Sequence, residues 1–266
     1  MSKVGILGYG EIGKGIADCI ADSVPSGYVV KIHDPEEGFQ ADLSDCEFVH
    51  VCVPNNALMY AMGEHKWGEV QDQAVIIHTT TEVGNCQIVA DHFKQCGIHL
   101  YHAPVRGKHP HLAASLQTFD MFISGPGHTF GPVEQYLESI DIFTHYVGDD
   151  YKVTELAKLM STLRLAWDVM WRKHMEAVCG KFGVPPELVH DAWTESYNRG
   201  YKMLGDDHFV RPVLSFVPGP IGGHCVIPNA ELLSEHSEVA EWILSLNRKL
   251  ESSAPPAVAP TQISVE

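Results

Sequence analysis

Lys3-Val4-Gly5-Ile6-Leu7-Gly8-Tyr9-Gly10-Glu11-Ile12-Gly13 is a short apolar run that passes through a GxGxxG turn into a helical pattern. The three glycines have separate tasks in this order. Gly8 permits a tight turn, Gly10 lets backbone approach a pyrophosphate, and Gly13 lets helix pack on strand. The following helix turns its free N–H groups toward the phosphates, with Tyr9, Glu11 and Ile12 in the same turn. A second β-rich run, Val29-Val30-Lys31-Ile32-His33, ends at Asp34. An acid there hydrogen-bonds ribose hydroxyls and repels a 2′-phosphate. The turn alone is weak evidence. Turn, helix and acid together predict NAD rather than NADP as cofactor.

Outward from this turn, β-rich runs alternate with helical stretches up to about residue 148. The runs fall at Tyr28–His33, Phe48–Val53, Ala74–Thr79, Ile98–His102, Met121–Ser124 and Phe143–Val147. Such alternation predicts an α/β fold with a Rossmann-type, mostly parallel sheet over residues 1–150. Ligands of these sheets bind beyond the carboxyl ends of the strands. That places Val53 and Pro54 with Thr79 at the cofactor, and Thr80 at the reacting centre. Thr79-x-x-Glu82 also reads as a capping box for the next helix, and both readings stay open.

After Asp150 the pattern is helical only. From Lys152 to Lys181 the chain keeps helical spacing of its apolar residues over about 45 Å at 1.5 Å per residue. This long helix is the expected spine of an all-helical substrate and dimerisation domain over 151–250, with Trp167 and Trp171 available to build a homodimer. Pro185-Pro186 begin another helix at Glu187–Arg199, and a last one is expected near Glu231–Leu250. The Ala/Pro/Ser-rich end, 251–266, is expected to be disordered.

The 266 residues are 45% hydrophobic and 20% charged, enough for a sizeable core in one or two domains. The net charge of −16 argues against nucleic-acid partners and against an anionic membrane surface. Residues 1–150 carry −13 of it and the remainder −3, so cations for an anionic small-molecule substrate are expected in the second part, at Arg199, Lys202 or Arg211. Seven cysteines without a CxxC pair suit a reducing compartment. No apolar run reaches the roughly 18 residues of a membrane helix, and the first strand leaves no room for a signal peptide, so a cytoplasmic location is expected. The 16 histidines form no HExxH and no Cys/His finger. His109 and His111 are the closest pair, most histidines are expected in loops and at the surface, and no metal site is predicted.

Three further motifs carry a family resemblance. Glu155-Leu156-Ala157-Lys158-Leu159 is similar to the lysine-bearing start of the long helix in the superfamily of β-hydroxyacid, 6-phosphogluconate and UDP-sugar dehydrogenases. Pro218-Gly219-Pro220-Ile221-Gly222-Gly223-His224-Cys225 resembles the glycine-rich nucleophile loop of UDP-glucose and UDP-N-acetylmannosamine dehydrogenases, one residue shorter. His102-Ala103-Pro104-Val105-Arg106-Gly107 resembles instead the substrate loop of β-hydroxyacid dehydrogenases. The resemblance spans nearly all of residues 1–250.

It implies an NAD-dependent oxidoreductase acting on a hydroxyl of a sugar-nucleotide-like or smaller polar substrate. Lys158 would serve as proton acceptor and as cation beside a developing alkoxide. Cys225 would attack an aldehyde to give a thiohemiacetal, which a second oxidation turns into a thioester. Arg106, Thr162, Gly222, Gly223 and Asn229 would meet substrate. Three positions depart from the UDP-sugar enzymes: Val105 stands for a glutamate, Thr162 for an asparagine and Asn229 for an aspartate. Those substitutions leave hydride transfer better supported than thioester hydrolysis. The third, nucleotide-closing domain of those enzymes is expected to be absent. The rival expectations are a two-electron β-hydroxyacid or imine dehydrogenase, a catalytically impaired NAD-binding protein, and a structural protein without cofactor.

Overall fold

The computed structural model describes residues 2–23, 27–107, 111–223 and 225–253. The chain divides into two compact units, Met1–Lys158 and Leu159–Glu266, so the division falls inside the long helix.

The first unit is built on a six-stranded sheet. β1 (Lys3–Leu7), β2 (Val29–Asp34), β4 (Phe48–Val51), β5 (Ala74–Ile77) and β6 (His99–His102) run parallel, and a two-residue β3 (Phe39–Gln40) closes one edge antiparallel to β2. The order is β3-β2-β1-β4-β5-β6, which reverses direction between β1 and β4. That reversal opens a crevice at the carboxyl ends of the strands, the usual ligand position in such sheets. The short β3 has no apolar alternation of its own and went unpredicted.

Alternation along the strands sends side chains to two cores. Val4, Ile6, Ile76 and Tyr101 pack with α1 (Glu11–Asp22), α4 (Leu112–Thr118) and α5 (Phe130–Glu138) on one face. Leu7, Val49, Val51, Val75, Ile77 and Leu100 pack with α2 (Leu58–Gly63) and α3 (Asn85–Phe93) on the other. Burial on both faces explains why these strands read as nearly continuous apolar runs. β7 (Met121–Ile123) and β8 (Thr144–Tyr146) form a separate parallel pair, joined to β6 by an antiparallel bridge between His102 and Ser124.

The long helix α6 spans Lys152–Phe182, one residue beyond its expected end. In the second unit its Leu159, Leu163, Ala166 and Met170 pack with α8 (Val226–Leu233) and α9 (Glu238–Ser253). Two expectations need correction. The single last helix is two, because Ser234–His236 tightens into a 3-10 turn and Ser237 leaves the helix before its hydroxyl caps the start of α9. The helix after Pro186 opens with a π-helical turn, Glu187–Ala192, and continues as α7 (Trp193–Leu204), past Arg199. Helix also extends through 251–253, the start of the expected tail; 254–266 lie outside the described residues.

Candidate active site

The glycine turn can be tested position by position. Gly8 has φ +92°, and a Cβ there would lie 2.9 Å from Val53 Cγ1 and 3.0 Å from the Cys52 carbonyl carbon. A Cβ on Gly13 would lie 2.1 Å from the Gly8 oxygen, so only glycine lets α1 pass so close to β1. A Cβ on Gly10 would meet nothing within 4 Å. That bare, unobstructed backbone is the surface a diphosphate needs, and no side chain caps the start of α1. A dinucleotide therefore fits the residues present.

Asp34 ends β2 beside this turn. Its carboxylate accepts hydrogen bonds from Tyr9 N at 2.7 Å, Glu36 N at 3.1 Å and Glu37 N at 3.3 Å. Three of roughly four acceptor positions on a carboxylate are taken, leaving room for about one hydroxyl. Glu11 is exposed, while Tyr9 and Ile12 are half-buried against the core.

The strand ends beyond β4, β5 and β6 are tied to one another. The Thr79 hydroxyl donates to Val53 O at 2.6 Å, linking the Val53-Pro54 loop to the next strand end. The Thr80 hydroxyl has no hydrogen-bond partner among the described residues, and the residue is half-buried. His78 Nδ1 lies 2.7 Å from Ala103 O, and His102 Nε2 lies 3.1 Å from Thr79 O. Behind them, His50 Nδ1 meets His78 Nε2 at 2.8 Å and His50 Nε2 meets the Tyr136 hydroxyl at 2.7 Å. His102 Nδ1 meets the Thr154 hydroxyl at 2.7 Å, which meets Ser124 Oγ at 2.6 Å.

These histidines correct the surface expectation: His50, His78 and His102 are 0%, 1% and 0% exposed. Burial pushes His78 and His102 down to about 4, and drives His50 well below its usual range with His78 adding to the effect. Among the described residues no group of three or more His, Cys, Asp or Glu is arranged to hold a metal; His109 lies outside them.

The first turns of α6 complete the cluster. Lys158 is half-buried and its Nζ donates to Val105 O at 2.8 Å. Glu155 is fully buried. It accepts from Gly84 N at 2.6 Å, Cys86 N at 2.7 Å and the Thr81 hydroxyl at 3.3 Å. It thereby caps the amino end of α3 from a different helix. The capping-box reading of Thr79 and Glu82 is overturned: α3 starts at Asn85, Glu82 is exposed, and the Thr79 hydroxyl is spent on Val53. Arg106, next to Val105, rests its guanidinium 5.4 Å from the ring centres of both Phe119 and Phe122. It is the one arginine in residues 1–158 and has no ion pair among the described residues.

In the second unit, Thr162 lies one helical turn beyond Lys158, and Asn229 Nδ2 donates to its hydroxyl at 3.1 Å. Cys225 is exposed and precedes α8, its carbonyl accepting from Asn229 N at 3.1 Å. Gly222 and Gly223 before it are exposed, Gly223 with φ +89°; His224 lies outside the described residues. Thus Thr162, Asn229 and Cys225 are linked, and the two departures at 162 and 229 bond to each other.

Arg199 and Lys202 stand exposed on α7, and Arg211 stacks over Tyr197 at 4.3 Å. Two other cations were missed by sequence. Arg172 Nε donates to Leu214 O at 3.1 Å, with its Nη1 2.8 Å from Glu176 though off the line of a hydrogen bond. Lys173 Nζ donates to Val217 O at 2.5 Å and Gly219 O at 2.7 Å. Both are buried and hold the segment leading to Cys225. Their signal was two adjacent basic residues on the core side of a helix that otherwise presents apolar groups there.

No family model and no curated protein sequence matches this chain. Solved structures do. The 3-hydroxyisobutyrate dehydrogenase of Mycobacterium tuberculosis, a complex with L-serine, superposes with TM-score 0.71 at 16% identity over 95% of this chain and 94% of that one. The UDP-D-ManNAc dehydrogenase of Pyrococcus horikoshii gives 0.70 at 16% identity over 93% of this chain and 68% of that one. Psf3, a structure holding NADP+ and 2-OPP, gives 0.62 at 15% identity over 94% and 95%. At such identities the likeness shows a shared fold: a Rossmann-type unit followed by a helical one, as in hydroxyacid and sugar-nucleotide dehydrogenases.

Proposed function

We propose that the chain is a nicotinamide-dependent oxidoreductase that oxidises a hydroxyl of a small polar substrate, with NAD as cofactor. The observation that carries this reading is Lys158, half-buried and anchored on Val105 O beside the strand ends that hold Thr80. Asp34, with Glu36 and Glu37 beside it, favours NAD by repelling a 2′-phosphate. When bound, the cofactor supplies the hydride acceptor. Gly8, Gly10 and Gly13 hold its diphosphate on bare backbone, with Tyr9, Glu11 and Ile12 in the turn and Val53, Pro54 and Thr79 lining the crevice.

Oxidation of an alcohol removes a hydride from carbon and a proton from oxygen. Lys158 in its amine form takes the proton, and as ammonium returns it in the reverse direction. Thr80 directs its hydroxyl to the substrate. Arg106, propped on two aromatic faces, presents a planar fork for an anionic group of the substrate. The second unit has its own candidate contacts, Thr162 bonded to Asn229 and the exposed Gly222 and Gly223.

A second reading extends the reaction by one oxidation through Cys225 as covalent nucleophile. Its exposure favours this, since Cys19, Cys46, Cys86 and Cys179 are all buried. Val105, Thr162 and Asn229, which stand where the UDP-sugar resemblance implies a glutamate, an asparagine and an aspartate, favour the simpler two-electron reaction. A homodimer through α6, where Trp167 and Trp171 keep about two-fifths of their surface exposed, and a cytoplasmic location belong to the same proposal. No helix among the described residues is long and apolar enough to cross a membrane.

The test is NADH formation from a panel of hydroxy acids and sugar nucleotides. Lys158→Ala is expected to lower kcat by about 10²–10⁴-fold, the usual contribution of a proton-transfer group, with NAD affinity retained. Unchanged turnover in that variant would sink the assignment. Two NADH per substrate, lost in Cys225→Ser, would select the second reading.

A further inference from the structure

The buried histidines have a polarity that their partners impose. A backbone carbonyl only accepts, so His78 Nδ1, 2.7 Å from Ala103 O, carries the hydrogen. A neutral His78 then has a bare Nε2, which must accept from His50 Nδ1–H. His50 Nε2 is bare in turn and accepts the Tyr136 hydroxyl hydrogen. The same logic gives His102 a hydrogen on Nε2, donated to Thr79 O, and a bare Nδ1 that accepts from Thr154 at 2.7 Å, nearer than the Tyr151 carbonyl that the same hydroxyl faces at 3.1 Å. Thr154 Oγ1 accepts from Ser124.

The two ends of this network cross. His78, at the end of β5, holds the carbonyl of the residue following His102. His102, at the end of β6, holds the carbonyl of the residue following His78. Thr79 precedes Thr80. Ala103 precedes Pro104, whose fixed φ transmits the restraint to Val105, the carbonyl that anchors Lys158.

We propose that His78 and His102 are positioning residues, a reciprocal latch that sets Thr80 and Lys158 by fixing the Thr79 and Ala103 carbonyls, with His50 and Thr154 supplying the hydrogens that their bare nitrogens accept. The latch rests on the proposed role of Lys158 for its consequence, and on the geometry alone for its existence. Its two halves serve different strand ends. Losing either hydrogen strands a buried carbonyl and leaves the loop beside it free to drift. A shift of about 1 Å at a reacting group can lower a rate by roughly a hundredfold.

The experiment is nitrogen-15 NMR of the imidazoles in the whole chain, together with the amide signals of Thr80 and Val105 and the ammonium signal of Lys158. The expected pattern is hydrogen on Nδ1 of His50 and His78 and on Nε2 of His102. His102→Leu should displace the Thr80 and Lys158 signals and lower kcat about a hundredfold, with NAD affinity within about twofold. His102→Gln, which keeps one donor and one acceptor, should restore both. Should His102→Leu fail to fold, Thr154→Val replaces it; it leaves the bare Nδ1 of His102 without a donor, and is expected to displace the Thr80 and Lys158 signals in the same sense but by less. Opposite tautomers in the wild type, unmoved Thr80 and Lys158 signals, or a glutamine variant that behaves as leucine would each overturn the latch. If the signals behave as expected but no NAD-linked turnover is found, the functional reading falls and the latch stands.

Discussion

The loops near Lys158 are fastened by neutral imidazoles, hydroxyls and one buried carboxylate, each of which both meets and is met by a partner. The loop before Cys225 hangs instead on two buried cations, Arg172 and Lys173, that grasp bare carbonyls at Leu214, Val217 and Gly219. The first kind of fastening specifies direction, because each imidazole nitrogen carries a single hydrogen or a single lone pair and has one partner to meet it. The second is looser at Lys173, whose ammonium can exchange one carbonyl for another at little cost. An imidazole network belongs where geometry at a reacting group matters to a fraction of an ångström. An ammonium clamp belongs where a glycine-rich segment must be kept near but can still adjust.

Acid should break this contrast most strongly. His50, His78 and His102 are neutral when folded, their affinities for protons lowered by burial, with His78 and His102 at about 4. The unfolded chain binds protons near pH 6.5 and the folded chain does not, so stability is complete above pH 6.5 and falls as pH drops toward 4. Each unit of pKa difference corresponds to about 1.4 kcal/mol, so His78 and His102 together cost roughly 4 kcal/mol between pH 7 and pH 5, and His50 adds in the same direction. Denaturant midpoints across that range will show it, and flat midpoints would mean that the imidazoles are hydrated or charged.

Glu155→Gln comes next. Its one remaining oxygen can serve Gly84 N or Cys86 N but not both, and its amide NH2 is set against the other, at a cost of about 2–3 kcal/mol. Loss of hydrogen-exchange protection at the start of α3 measures it. Lys173→Met should be mildest, at about 1–2 kcal/mol, because two carbonyls lose donors but can relax toward water. Its visible effect should be a faster reaction of Cys225 with an alkylating agent. An unchanged rate would separate the clamp from the cysteine.

How much of this was readable in the sequence depends on the range of the interaction. The glycine turn, the acid ending β2 and the period of α6 are local patterns, and each corresponds to an element in the structure. Glu155 was not readable, because it caps a helix some seventy positions earlier in the chain. Thr79 misled for the same reason: its local capping motif lost to a carbonyl on the neighbouring strand. The histidines were misjudged because a polar residue in a strand is buried only if its hydrogen bonds can be met, and those partners lie on α5, α6 and two adjacent strands. Ser237 ends the helix that sequence drew as continuous, since its hydroxyl cap is a weak signal beside the apolar period around it.

The chain of single hydrogens from Tyr136 through His50 and His78 to Ala103 has a consequence for descent. No member can be exchanged alone without leaving a lone pair or a hydrogen unmatched in a dry interior. His50 and His78 should therefore drift as a block, both imidazole or both replaced by apolar groups, and Tyr136 should lose its hydroxyl in the same lineages. The record of such paired replacements among relatives would reveal the network without any structure at all.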